Sequence, residues 1–298
     1  MKKVLLALAL CVSFSGMAQL VNVASIEKVN IPENAAAKVA AISPQGDYIL
    51  VTTDFNQGLT KHDLGTGTQQ VITRAPGAGF DAKISSDGST VVYREKSTKN
   101  RLQMTAVKSK NLTTGAEQQL VKPSRNVQGV AIEGNTAIAV AGGKIAKKAI
   151  DAGKAKVSAP VLSTANYKIY ITRDGKTTEL APKGNGYRYI WASLSPDATR
   201  VLFCCSGNGA YVCNIDGSGL TSLGNYRAPK WMGNDMVVAM DCRDNGEVFT
   251  SSEIVVLDLN GNKQVVTGSD VIAMYPLPAQ GKIAFSTPTG EAYIINLK

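Results

Sequence analysis

Histidine is nearly missing from this chain of 298 residues, where His62 is the only one. A metal lyase site assembled from several imidazoles therefore has no material here. Gly-x-Ser-x-Gly is also lacking, so a serine hydrolase with a histidine base has no support. His62 sits in Leu59-Thr60-Lys61-His62-Asp63-Leu64, a strand-like run in which an imidazole is ordinarily structural. Cysteine pairs at Cys-x2-Cys spacing do not occur, which removes the usual zinc frameworks. The Asp-Gly turns at Asp87, Asp174 and Asp216 lack the dense oxygen ligands of a calcium loop, so turn chemistry alone explains them. No metal and no cofactor is expected. Trp191 and Trp231 are the only tryptophans, and both fall near expected innermost strands, which leaves no obvious sugar platform. Long apolar runs are missing as well. The run Val4–Phe14 is well short of the roughly 20 residues that span a bilayer.

What the chain does have is a recurring phrase. It reads Ser43-Pro44-Gln45-Gly46-Asp47-Tyr48-Ile49-Leu50-Val51, then Ser85-Ser86-Asp87-Gly88-Ser89-Thr90-Val91-Val92-Tyr93, then Ser195-Pro196-Asp197-Ala198-Thr199-Arg200-Val201-Leu202-Phe203. Each copy is a tight turn feeding a β-branched or aromatic strand. A unit this short cannot bury its own apolar face, so the repeats must stack radially, as a β-propeller. Blade one is expected over Lys38–Arg74 and blade two from Phe80 to Val121. Blade three runs from Asn126 to Leu180, interrupted by a lysine-rich insertion at 142–166. Blade four covers Tyr189–Leu223 and blade five Ala228–Thr267. The final repeat offers three strands between Val271 and Leu297, and Leu20–Val29 can supply the fourth. The expected fold is all-β: a six-bladed propeller closed by an N-terminal strand that completes the last blade, leaving no free sheet edge.

Residues Ser195–Gly224, with their Ser-Pro-Asp turn, apolar strand, Asp216-Gly217 and Leu220-Thr221 ending, resemble the repeat of TolB-type propellers, also called WD40-like or PD40 repeats. Ala198 stands where that repeat usually has glycine. The resemblance implies a docking platform in the cell envelope that receives partner proteins on the face opening onto the central channel. The α/β domain that precedes the propeller in TolB itself has no room before the first repeat. Related propellers also form lyases or precede peptidase domains, so the family does not choose a function.

Met1-Lys2-Lys3, the apolar run and Gly16-Met17-Ala18-Gln19 have the order of a signal peptide cleaved after Ala18. This leaves 19–298 as one propeller domain, periplasmic or secreted. The chain is basic, with 32 Lys+Arg against 23 Asp+Glu. In an exported protein that balance favours an acidic protein or acidic glycan over nucleic acid. Cys204, Cys205, Cys213 and Cys242 permit disulfides, and Cys205 with Cys242 is the preferred pair because both follow an expected second strand in neighbouring repeats.

The loops that enter each blade and those joining its second and third strands share one face. They collect Arg74, Arg125, Tyr187, Arg188, Tyr226 and Arg227 with Asp54, Phe55, Arg94, Arg101, Arg243 and Asp244. Arginine and tyrosine are enriched at interface hot spots, and Tyr189 and Trp191 read as plugs between blades. The insertion 142–166 reads as a solvated loop, with a lid over that face as the sharper alternative. The expected function is a monomeric, non-enzymatic protein-docking module. Its alternative is a glycan-binding or carbohydrate-active propeller with a ligand at the channel mouth.

Overall fold

The computed structural model describes residues 19–32, 38–53, 55–151 and 153–298. The expected signal peptide lies outside them. Strand β1 is Val23–Lys28. Blade 1 comprises β2 (Lys38–Ile42), β3 (Tyr48–Thr52), β4 (Leu59–Asp63) and β5 (Gln69–Thr73). Blade 2 comprises β6 (Lys83–Ile84), β7 (Thr90–Lys99), β8 (Leu102–Asn111) and β9 (Glu117–Ser124). Blade 3 has three strands, β10 (Val127–Glu133), β11 (Thr136–Ala141) and β12 (Lys144–Ala149). Blade 4 also has three, β13 (Val161–Ala165), β14 (Lys168–Arg173) and β15 (Lys176–Leu180). Blade 5 comprises β16 (Tyr189–Leu194), β17 (Arg200–Cys205), β18 (Gly209–Asn214) and β19 (Thr221–Gly224). Blade 6 comprises β20 (Arg227–Met232), β21 (Met236–Asp244), β22 (Phe249–Asp258) and β23 (Lys263–Val265). Blade 7 comprises β24 (Met274–Ala279), β25 (Lys282–Ser286) and β26 (Ala292–Leu297), with β1 as its outermost strand. The innermost strands touch in chain order around the axis, from β2 through β6, β10, β13, β16, β20 and β24 back to β2.

The expected six blades are therefore corrected to seven. The segment 142–166, expected as an insertion within one blade, contains β12 and β13, and these divide the residues between two blades. Chain direction explains why each has three strands. An odd number of strands leaves the chain at the opposite end of the ring from where it entered. Lys156 N donates to Thr136 Oγ1, and Ser158 and Ala159 N to Glu133 Oε1, so residues 156–159 lie at the exit end of β10. At its other end, β13 leads to Tyr167, whose carbonyl accepts from Tyr189 N at the entry of β16. Strand β13 thus runs against the innermost strands on both sides, and a second three-stranded blade restores the direction. On this count 153–160 lies on the lower face, while Tyr167 and the turn Gly142-Gly143 lie on the upper face with the loops that enter the other blades.

Strand alternation fills the spaces between blades, because successive side chains point to opposite faces of a sheet. Phe203 packs between blades 4 and 5 with Ile169 and Val201, while Leu202 packs between blades 5 and 6 with Val237 and Val255. Val238 and Met240 then meet Ile283 and Phe285 between blades 6 and 7. Seven such apolar layers, one per gap, make up the core.

The recurrent phrase folds alike in its three copies. Ser43, Ser85 and Ser195 are buried, and each hydroxyl accepts the backbone N–H five residues on, at 3.1, 2.9 and 3.0 Å. The serine hydroxyls donate to Asp47, Asp87 and Asp197. Those bonds lead the interactions that hold the Asp87 and Asp197 carboxyls below the usual carboxylate range. The fourth turn residue is left-handed in each copy: Gly46 at φ 72°, Gly88 at φ 75° and Ala198 at φ 56°. A side chain in that region costs about 1–2 kcal/mol. Ala198→Gly should therefore stabilise the protein by about 1 kcal/mol and raise Tm by roughly 2–4 °C, as read by thermal unfolding.

Closure depends on the N-terminal segment. Strand β1 pairs antiparallel with β26, and Asn296 Nδ2 donates to Ser25 Oγ at 2.9 Å. Just before β1, Leu20 N and Val21 N both donate to Gln264 Oε1, and Gln264 Nε2 returns a bond to the Val21 carbonyl at 2.9 Å. Gln264 belongs to β23, so the latch fastens blade 7 and grips blade 6.

Candidate functional site

The upper face is built on kinks in the innermost strands. Strands β16, β20 and β24 each contain a bulge, after Ile190, Arg227 and Met274 respectively. Within those bulges Trp191, Ala228 and Tyr275 take left-handed backbone at φ 53°, 47° and 56°. Large side chains rarely occupy that region, and holding one there costs of order 1–3 kcal/mol. A bulge turns a side chain out of the alternation of its strand. Trp191, expected as a plug between blades, is instead 40% exposed, whereas Tyr189 is buried. Asp81, just ahead of β6, is left-handed too and lies four residues before Ser85, as Trp191 lies four before Ser195.

Trp191, Tyr226, Arg227, Phe249 and Tyr275 line a cleft of about 360 Å³ between blades 5, 6 and 7. Arg227 is fixed there by an ion pair from Nη2 to Asp244 Oδ2 at 2.9 Å, with its guanidinium 5.6 Å from the Phe249 ring centre. Tyr226 is half-buried, and Cys204 Sγ donates to its carbonyl. Lys38 Nζ stands 5.2 Å from the Tyr275 ring centre. At the cleft edge, Ser206 N donates to the Arg188 carbonyl, and the exposed Arg188 guanidinium stacks 3.8 Å from the centre of the Tyr167 ring.

Not all the expected residues gather there. Tyr226 and Arg227 line the cleft, and Arg188 adjoins it. Tyr187 is exposed nearby, with Lys183 Nζ 5.0 Å from its ring centre. Arg74 and Arg125 are exposed just past the outermost strands of blades 1 and 2, and Arg243 is exposed near the end of β21 in blade 6, so the three are spread around the rim. Arg94 is different: it is buried, and Nη1 donates to the Phe80 carbonyl and to Asp81 Oδ2, both at 3.1 Å. It fastens its own loop and is not offered to a partner. Asp54 lies outside the described residues. Trp191, Tyr275 and Phe249 were missed from sequence; the shared offset of Trp191 and Asp81 from their turn serines is the signal that could have found the bulge.

The preferred pairing of Cys205 with Cys242 is also corrected, since the four described cysteines are free thiols. Alternation explains it: Cys205 packs between blades 4 and 5 and Cys242 between blades 6 and 7, with whole sheets in between. Burial pushes the Cys204 and Cys213 thiols up to about 12, which keeps them protonated and unreactive. His62 is buried within blade 1, and that burial lowers its pKa. Among the described residues, no three His, Cys, Asp or Glu side chains are grouped so as to hold a metal ion.

No family model matches the sequence, and no curated protein matches it. Solved structures share the fold at low identity. The WD40 propeller domain of Doa1 aligns with a TM-score of 0.63 at 12% identity, covering 93% of this chain and 96% of that one. A streptogramin B lyase aligns at 0.60 and 13%, covering 92% and 97%. TolB from Acinetobacter baumannii gives 0.48 and 15%, covering 86% of this chain and 53% of TolB, too loose a likeness to carry an argument. What the first two likenesses establish is the propeller itself.

Proposed function

We propose that this protein is an exported, non-enzymatic docking module that holds an acidic partner protein on its upper face. One observation carries the reading. Of the ten large apolar side chains that stand exposed among the described residues, Phe55, Phe80, Leu102, Tyr167, Tyr187, Trp191 and Val248 belong to upper-face loops or strand ends, and Phe55 is 91% exposed. Exposed apolar side chains gathered on one face mark an interaction surface. Arg74, Arg125, Arg188, Arg227 and Arg243 ring the same face, which suits a partner with acidic residues around an apolar centre. Export rests on the leader-like segment before Gln19, and no helix among the described residues is long and apolar enough to cross a membrane.

The strained tryptophan separates binding from folding. Trp191→Gly relieves the left-handed backbone and removes a central aromatic. Tm should stay level or rise by a few degrees, while affinity for the partner falls by about tenfold or more. Unchanged affinity in a titration calorimeter would remove the cleft from the binding surface. A glycan in the same cleft is the second reading, favoured by the exposed Trp191 beside Tyr275. It predicts that oligosaccharide, and no protein, protects the Trp191 fluorescence from quenching.

A further inference from the structure

Among the described residues, blades 3 and 4 end in their third strands, β12 and β15, where each other blade has a fourth. The outer edge of such a strand carries backbone N–H and C=O groups that its own sheet does not use. The turn before β12 decides which groups these are. Gly142 and Gly143, at φ 56° and 75°, make a two-residue hairpin loop, so Ala141 and Lys144 form the first hydrogen-bonded pair with β11. Ala139 with Ala146 and Ala137 with Lys148 follow in register. Ile145, Lys147 and Ala149 therefore direct their N–H and C=O groups outward, and among the described residues no other backbone group bonds to them. The strand itself is held firmly, because Ile145 packs against the layer of Ile138, Val140 and Val161.

Charge sets β12 apart from β15. Lys144, Lys147 and Lys148 are exposed along β12. Lys148 Nζ reaches across to the Gln119 carbonyl of β9 at 3.0 Å. Lys144 and Lys147 have no carboxylate within ion-pair distance among the described residues. Asp151 is the one acid between 142 and 160, and it already accepts from Asn135 Nδ2 at 2.9 Å and Gly153 N at 2.7 Å. Strand β15 instead carries both signs, Lys176 and Glu179, with Glu179 bound to Lys168 Nζ at 2.9 Å. Two copies of this chain joined at β12 would set lysine against lysine, which is unfavourable across a strand pair. An acidic strand would be held by backbone and charge together.

We propose that the outer edge of β12 takes an extended acidic segment of a partner protein as the fourth strand of blade 3. Its backbone bonds to Ile145, Lys147 and Ala149, and its carboxylates lie beside Lys144 and Lys147. The molecule already completes one blade in this manner, since β1 comes from the far end of the chain to pair with β26 in blade 7. The edge is distinct from the cleft between blades 5, 6 and 7, and its occupancy does not depend on that cleft binding anything.

The probe is a short capped peptide of alternating valine and glutamate, titrated into the full protein by calorimetry. It should bind, and the same peptide with lysine in place of glutamate should not. Successive N–H groups of a strand point to opposite edges, so N-methylation of the valines and of the glutamates blocks one edge each. One methylated peptide should lose binding about tenfold or more and the other should keep it. Lys144→Glu with Lys147→Glu should weaken the parent peptide about tenfold or more, whereas Arg188→Glu with Arg227→Glu, an equal change of charge, should leave it within about twofold. No binding of the glutamate peptide, equal behaviour of the two methylated peptides, or equal losses from the two double variants overturns the proposal.

Discussion

Reversing charge at Arg188 and Arg227 together should weaken partner binding on the order of 100-fold or more, with the propeller still folded. Arginines at an interface centre commonly contribute about 2 kcal/mol each, and reversal adds repulsion from an acidic partner. Both sit beside aromatic rings, Arg188 on Tyr167 and Arg227 near Phe249, so their guanidinium planes are pre-set for bidentate contacts. The control is the lower face. Arg173 and Lys176 are exposed at the turn between β14 and β15, and reversing both should leave affinity within about twofold. Calorimetric titration of the three proteins reads the difference, and equal losses from both faces would mean that net charge alone drives binding.

Opening the ring should have the larger effect on stability. Removal of residues 19–28 takes away β1, its pairing with β26, and the three bonds through Gln264. It also uncovers the layer between blades 6 and 7, where Leu20, Val21 and Val23 pack against the buried core. A loss of about 3–5 kcal/mol is expected, lowering Tm by on the order of 10 °C. The exposed edge of β26 should then promote self-association, visible by light scattering. Gln264→Ala, which leaves β1 in place, should reproduce about a third of the loss. A truncated protein that melts with the parent would mean the ring is held by its inter-blade layers alone.

The parts legible in the sequence were those whose physics is local. Ser43, Ser85 and Ser195 announce their turns because the hydroxyl, the aspartate and the left-handed fourth residue must occur together. The terminal latch was legible because three strands at one end require a fourth. Blade number was not. Lys144-Ile145-Ala146-Lys147-Lys148-Ala149 has the composition of a helix, yet it forms β12, because β11 offers an unpaired edge and a long-range partner overrides propensity. Blades 3 and 4 also lack the serine turn, joining their first two strands instead through Gly134-Asn135 and Asn166-Tyr167. Trp191 was misread for a related reason: alternation sends it between blades, and only the bulge turns it outward. For Cys205 and Cys242, strand position could be read from the chain, but the layer each thiol enters could not.

The most direct test is crosslinking in the native cell at two salt concentrations, followed by mapping of the crosslinked lysines. A docked upper face predicts a discrete partner that is lost at high salt, joined through Lys99 and Lys144 beside the upper-face turns. Crosslinks concentrated at Lys154 and Lys176 on the lower face, or a partner whose capture ignores salt, would contradict the account.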